Sequence, residues 1–219
     1  MTDRFRRTAV GATVMAAVLV TASTVLPTQF GVPKAHAACS DVEVVFARGT
    51  DQPQGLGREG QAFVNALKPQ LGGRSLGVYA VVYPATYDFL AAADGANDAS
   101  AHIQGTMADC PATRIVLAGY SQGAAIVDVL AAVPFPAIGF NAPLPPDAPD
   151  HIAALAVFGN PSTRLGLPLT ASPVYGSRSI DLCIAGDPIC SDGNDVAAHS
   201  NYVSAGLVQQ GANFVAGLL

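Results

Sequence analysis

Five short apolar runs constrain this chain more than any other feature: Val42 to Ala47, Val78 to Tyr83, Arg114 to Ala118, Ala153 to Phe158 and Arg178 to Leu182. Largely continuous hydrophobicity over five or six residues reads as strands buried on both faces. Helical patterns lie between them. Phe63 and Leu67 stand four apart, as do Ile103 and Met107, and Ala124 to Leu130 is apolar all round, so each can lay an apolar face on a sheet. Val203, Leu207 and Phe214 predict a closing helix, which Gly211 weakens. Strands alternating with helices imply parallel pairing through right-handed crossovers. The expected architecture is an open five-stranded parallel α/β sheet in the order 2-1-3-4-5, with helices on both faces. Ligand chemistry then belongs at the carboxyl ends of the strands.

The third run leads straight into Gly119-Tyr120-Ser121-Gln122-Gly123 and then the apolar helix. A serine between glycines on a tight strand-to-helix turn is a nucleophile elbow, where neighbouring backbone comes too close for a β-carbon. Gly73-Arg74-Ser75-Leu76-Gly77 has the same spacing. It precedes a strand instead of following one, so Ser75 reads as an ordinary turn residue. Ser121 could also be no more than a helix N-cap.

At 219 residues, half of them hydrophobic and 12% charged, the chain suits one domain with one substantial core. Arg4, Arg6 and Arg7, the apolar stretch Ala9 to Leu26, and Ala35-His36-Ala37 together read as a cleaved export signal over residues 1–37. The single domain would then be 38–219. An uncleaved anchor is the rival, but its threonines, serine and many alanines make a poor span. A lipoprotein site at Cys39 would want a leucine-like residue where His36 stands. Cleavage removes four basic residues and one acidic one, moving the formal charge from −5 to −8. An acidic chain without a basic cluster is a poor partner for nucleic acid. The expected product is a secreted, monomeric protein with no stable membrane insertion.

Cys39, Cys110, Cys183 and Cys190 all follow the signal, and an even count in an exported chain points to disulfides. Four cysteines allow three pairings. Cys183 and Cys190 bracket a short loop holding Gly186 and Pro188, which leaves Cys39 with Cys110. In the order 2-1-3-4-5 those two precede neighbouring strands. Zinc is disfavoured, because the paired C-x-x-C spacing is missing.

A serine hydroxyl needs a base within reach and an acid to orient that base. His151 precedes the fourth strand and His102 lies mid-helix between Ala99 and Met107, so neither is at the strands' carboxyl ends. His199 follows the last strand by a loop and is the expected base. Asp187, within the Cys183–Cys190 loop, is favoured as the acid over Asp192 and Asp195, which lie in a Ser-Asp-Gly-Asn-Asp stretch that reads as a solvated turn. Ser121, Asp187, His199 is also the chain order of α/β-hydrolase triads. For the oxyanion hole, the expected donors are the backbone N–H of Gln122 and the Arg48-Gly49-Thr50 loop, with Thr50 supplying a hydroxyl. Read as a turn, Thr50 has no such role.

Phe46-Ala47-Arg48-Gly49-Thr50, Gly119-Tyr120-Ser121-Gln122-Gly123, the Cys183 to Cys190 block and Ala198-His199-Ser200-Asn201-Tyr202 occur in the order of the blocks of one family. In these residues, and over nearly all of Cys39 to Leu219, the chain resembles the cutinase family of secreted serine esterases. The resemblance implies an α/β-hydrolase-like cutinase fold, bridges Cys39–Cys110 and Cys183–Cys190, a Ser121-Asp187-His199 triad and an oxyanion hole from Thr50 and Gln122. It also implies hydrolysis of carboxylic esters with no metal or cofactor, on small-molecule, lipid or polymer substrates, and usually no full lid. Fungal cutinases carry a bulky apolar run shortly before the histidine. Here Ser191 to Asp195 is polar, which is more similar to the acetylxylan esterases. Apolar rim contacts would come from Ala85, Tyr87, Phe89 and Leu90, or from Leu167, Leu169, Val174 and Tyr175, unless these anchor loops to the core. The expectation is an esterase for short to medium acyl chains. A polysaccharide deacetylase is the enzymatic alternative, a serine peptidase a more distant one, and a non-catalytic binding protein on a hydrolase scaffold the alternative of another class.

Overall fold

The computed structural model describes residues 39–219; the proposed signal and its cleavage site lie outside the described residues. Five parallel strands run in the order β2-β1-β3-β4-β5, as the alternation of runs predicts. They are β1 (Val42–Ala47), β2 (Leu76–Ala80), β3 (Arg114–Tyr120), β4 (Ile152–Phe158) and β5 (Ser179–Leu182). The main helices are α1 (Gly57–Leu67), α2 (Ala92–Asp109) and α3 (Gln122–Ala132), followed by the single turns α4 (Ala148–His151) and α5 (Pro161–Arg164) and the closing α6 (Leu207–Ala216).

Because successive residues of a strand point to opposite faces, β1, β3 and β4 feed two cores at once. Val45, Leu117, Leu155 and Val157 pack under α2 and α3, whereas Val44, Phe46, Val116, Ala156 and Phe158 pack under α1 and α6. The edge strands depart from the expectation of burial on both faces. Val78 of β2 is exposed, and three of the four residues of β5 are only partly buried.

The second strand begins and ends earlier than its apolar run. It pairs with β1 from Val42–Leu76 to Phe46–Ala80, and Val81 N still donates to Phe46 O at 3.0 Å. Beyond that β1 has ended, and the buried Arg48 takes over the acceptors. Its guanidinium donates to the carbonyls of Val81, Tyr83 and Pro84 at 3.4, 2.7 and 3.4 Å. The carbonyls of Val81, Tyr83 and Pro84 are thereby satisfied without a ladder, as buried carbonyls require.

The closing helix also differs from expectation. Val203 lies outside it, and Leu207 and Phe214 sit at the margin of a buried stripe made by Val208, Gly211, Ala212 and Val215. Gly211 is the point of closest approach: a Cβ there would stand 2.7 Å from Cζ of the fully buried Phe158. Both bridges form, Cys39–Cys110 tying the segments ahead of β1 and β3, and Cys183–Cys190 closing the loop after β5. Among the described residues no helix is long and apolar enough to cross a membrane.

A polar cluster lies beside the carboxyl end of β4. The fully buried Asn160 donates to Asp181 Oδ2 at 2.9 Å and to Asp128 Oδ1 at 3.3 Å. Asp181 Oδ2 also accepts from Thr163 Oγ1 and Leu169 N, each at 2.9 Å. Oδ1 of Asp181 is nonetheless buried and unpartnered, and so is Oδ2 of Asp128. Burial pushes the Asp128 carboxyl up from 3.8 to about 6, opposed by hydrogen bonds from Ser162 and Asn160 and assisted by the charge of Asp181.

Two measurements test this packing. By helix propensity alone Gly211→Ala should stabilise by about 1 kcal/mol, but the clash with Phe158 outweighs that, and urea unfolding should show a net loss of about 2 kcal/mol. For Asp128, an acid whose folded pKa lies above its unfolded one binds its proton more tightly when folded. It therefore costs no stability below about pH 4, and the penalty grows as pH rises through 4 to 6. Asp128→Asn should raise the unfolding free energy at pH 8 by about 2 kcal/mol and change it little near pH 4.

Candidate active site

The site is built where β3 hands over to α3. Gly119 and Gly123 allow the turn: a Cβ on Gly119 would lie 2.2 Å from Gly123 O, and one on Gly123 would lie 1.9 Å from Ala47 O. The helix start is thus pressed onto the end of β1. Ser121, between them, adopts φ 55° and ψ −118°, a conformation costly for any residue with a side chain. Its backbone N–H is held by Phe158 O at 2.9 Å. The strain aims Oγ outward from the carboxyl ends of the strands.

His199 lies on a turn (Ala198–Ser200) between β5 and α6, and its Nε2 stands 2.9 Å from Ser121 Oγ. On the other side of the ring, Nδ1 is 2.7 Å from Asp187 Oδ2. Asp187 is completely buried, and a carboxylate in that position must be surrounded by donors. Ile189 N donates to Oδ1 at 2.8 Å and the Tyr202 hydroxyl to Oδ2 at 2.6 Å. Burial, then the bond to Asp187, raises the Tyr202 phenol far above its usual range, so it remains a donor. With two donors already in place and acceptors only on the carboxylate, the His199 proton belongs on Nδ1. That leaves Nε2 free to accept from Ser121.

The ring is also wedged in place. Tyr120 stacks on it with centroids 5.0 Å apart, and the Tyr120 hydroxyl donates to His199 O at 2.5 Å. Tyr202 meets it edge-on, and Gly159 at φ 61° leaves room for it, since a Cβ there would be 2.8 Å from His199 Cε1. Arg58 ties the neighbouring Ser200 carbonyl to the buried Glu59.

Thr50 and Gln122 meet beside the serine, with Thr50 Oγ1 donating to Gln122 Oε1 at 3.2 Å. The Gln122 amide in turn donates to Thr86 O at 3.1 Å, joining the loops after β1 and β2. At the first residue of α3, the Gln122 N–H has no carbonyl within the helix to bind. The arrangement can support proton transfer from a hydroxyl to an imidazole, beside donors suited to a developing negative charge.

The other candidates are elsewhere. Ser75 is bound to Asp41 at the amino end of β1. His102 stacks on Tyr79 and pairs with Glu43 Oε1 at 3.0 Å, and His151 ends α4 just ahead of β4. Asp195 caps the turn at Ala197, and Asp192 is exposed beside Arg164. The two rim sets divide. Tyr87, Phe89, Leu90, Leu167 and Val174 are exposed, whereas Ala85, Leu169 and Tyr175 are buried anchors. No local sequence pattern marks Tyr120 and Tyr202 as supports of the site. Their signal was proximity in sequence to Ser121 and His199.

A serine on such an elbow, crowning an open parallel sheet with an imidazole swung over it, defines an α/β hydrolase. The cutinase family model matches residues 38–219. The chain belongs to the cutinase family and is a carboxylic ester hydrolase. It is similar to phospholipase Culp4 of Mycobacterium tuberculosis, with 57% identity over 93% of this chain and 90% of that one. It is similar also to carboxylesterase Culp1 of the same organism, with 50% identity over 84% and 85%. Among solved structures, the catalytic core of acetyl xylan esterase from Trichoderma reesei superposes with a TM-score of 0.70 and 29% identity, over 83% of this chain and 100% of that one.

Tyr202→Phe tests the support of the carboxylate. Asp187 loses one of its donors but keeps His199 and Ile189, so kcat/KM for a soluble nitrophenyl ester should fall about tenfold, while unfolding shows a loss of about 2 kcal/mol.

Proposed function

We propose that this chain is exported, loses residues 1–37, and cleaves carboxylic esters outside the cell through a covalent acyl-enzyme on Ser121. The observation that carries the reading is the unbroken line of contacts from Ser121 Oγ through His199, at 2.9 and 2.7 Å, to the buried Asp187. His199 Nε2 takes the serine proton as Oγ attacks the ester carbon. The resulting imidazolium is stabilised by Asp187 across Nδ1–H. The tetrahedral oxyanion is held by the Gln122 backbone N–H and by the Thr50 hydroxyl, which turns to it from Gln122 Oε1. His199 then protonates the departing alcohol, and water, activated by the same nitrogen, releases the acid and restores Ser121.

The substrates of this reading are esters of short to medium acyl chains, including lipid esters, a range supported by the likeness to a phospholipase and a carboxylesterase. The two disulfides support an oxidising compartment. The protein acts as a monomer and binds no nucleic acid, in keeping with its acidic charge.

Ser121→Ala should lower p-nitrophenyl butyrate turnover about ten-thousandfold with the fold intact by circular dichroism; persistent activity would assign the nucleophile elsewhere. A second reading, a polysaccharide deacetylase, is favoured by the polar Ser191 to Asp195 segment and by the likeness to an acetyl xylan esterase. Acetate release from acetylated xylan set against butyrate release from tributyrin separates the two, with tributyrin expected to be preferred.

A further inference from the structure

The connection from α3 to β4 is far longer than its task requires. Helix-to-strand connections in α/β folds commonly take two to six residues, yet here Val133 to Asp147 precede the α4 turn. The extra chain climbs back to the carboxyl end of the sheet. Asn97, in the early turns of α2, clasps it: Nδ2 donates to Gly139 O at 2.8 Å, and Oδ1 accepts from Asn141 N and Ala142 N at 2.8 and 3.2 Å. Between these contacts Ala137 and Phe140 exchange backbone hydrogen bonds of 2.8 Å in both directions, closing a two-residue hairpin.

Its two tip residues, Ile138 and Gly139, have φ of 37° and 81°. A turn with both central residues left-handed strongly favours Asn-Gly or Gly-Gly, and a β-branched residue at its first position is strained. Ile138 is also 85% exposed, so neither backbone preference nor burial accounts for it. Its surroundings repeat the theme. Phe135 follows the same excursion, and Tyr87, Phe89 and Leu90 lead into the first turn of α2, where Ala93 abuts Gly139; all four are more than 60% exposed. Thr86, next to Tyr87, is bonded to the Gln122 side chain beside Ser121, so this apolar ridge lies along one margin of the active site.

The geometry points to Ile138 as the tip of a rigid apolar finger that seats the enzyme on an uncharged lipid-ester surface. Charge selects that occupant. No Lys or Arg lies between Arg74 and Arg114 or between Arg114 and Arg164, whereas Asp88 falls within the exposed stretch itself and Asp94 in the first turn of α2 that follows it. An anionic bilayer would be repelled, and a neutral ester surface rewards insertion of apolar side chains alone. The ester-hydrolase reading enters only in the nature of the surface, and binding is read apart from turnover.

The test uses the Ser121→Ala protein, so that the surface is not consumed, and phosphatidylcholine-coated triolein droplets. Partitioning by flotation should be strong and nearly unchanged between about 50 and about 500 mM NaCl. Adding Ile138→Asn should weaken it roughly ten- to thirtyfold, the loss expected for one buried isoleucine. Because Asn suits the left-handed turn, the melting temperature should equal or exceed the parent's. In the active protein, Ile138→Asn should leave hydrolysis of soluble p-nitrophenyl acetate within twofold. Equal partitioning of parent and variant, preference for anionic vesicles, or a lower melting temperature would overturn the assignment. So would dimerisation of the parent that Ile138→Asn abolishes, since the ridge would then cover a second copy of the chain. Loss of the ester-hydrolase reading alone would appear as absent turnover with binding intact.

Discussion

A carboxylate with no exposure to water must be answered by donors or the chain will not bury it, and Asp187 is such a carboxylate. Its donors come from His199, from Tyr202 and from the loop's own backbone at Ile189. Satisfying one side chain therefore fixes the mutual position of the β5 loop, the histidine turn and the approach to α6. The histidine ring is then presented to Ser121 without further adjustment, and the strain at the elbow is borne by the close approach of Gly123 to β1.

Much of the fold was legible because buried strands and the helices between them differ in length and periodicity. The central runs at Val42, Arg114 and Ala153 became β1, β3 and β4 with boundaries shifted by no more than two residues. The failures were tertiary in origin. An apolar run cannot reveal that a buried arginine will take its carbonyls, so Val81 to Tyr83 read as strand although Arg48 holds them as a loop. Nor can it reveal which face of the closing helix meets Phe158, where the absence of a side chain at Gly211 mattered more than the bulk of Phe214.

The gathering of Ser121, Asp187 and His199 was foreseeable because each sits in a local pattern that says where the chain must turn: glycine-flanked, disulfide-bracketed, or placed between last strand and last helix. Their supports carry no such mark. Tyr120 and Tyr202 look like core aromatics, and they do join the chain of rings through Phe158 and Phe63. Only their hydroxyls, reaching His199 O and Asp187, distinguish them. The Arg58–Glu59 pair and the Asn160 cluster likewise join segments distant in sequence.

The brace around Asp187 has a consequence for where such a protein can work. The carboxylate lies inside a span closed by cysteines seven apart in sequence, so part of its restraint is a covalent link that thiols can open by exchange. In reducing surroundings the loop would regain its freedom and the imidazole its choice of orientations. The mutual alignment of Asp187, His199 and Ser121 is thereby coupled to the thiol–disulfide balance of the surroundings.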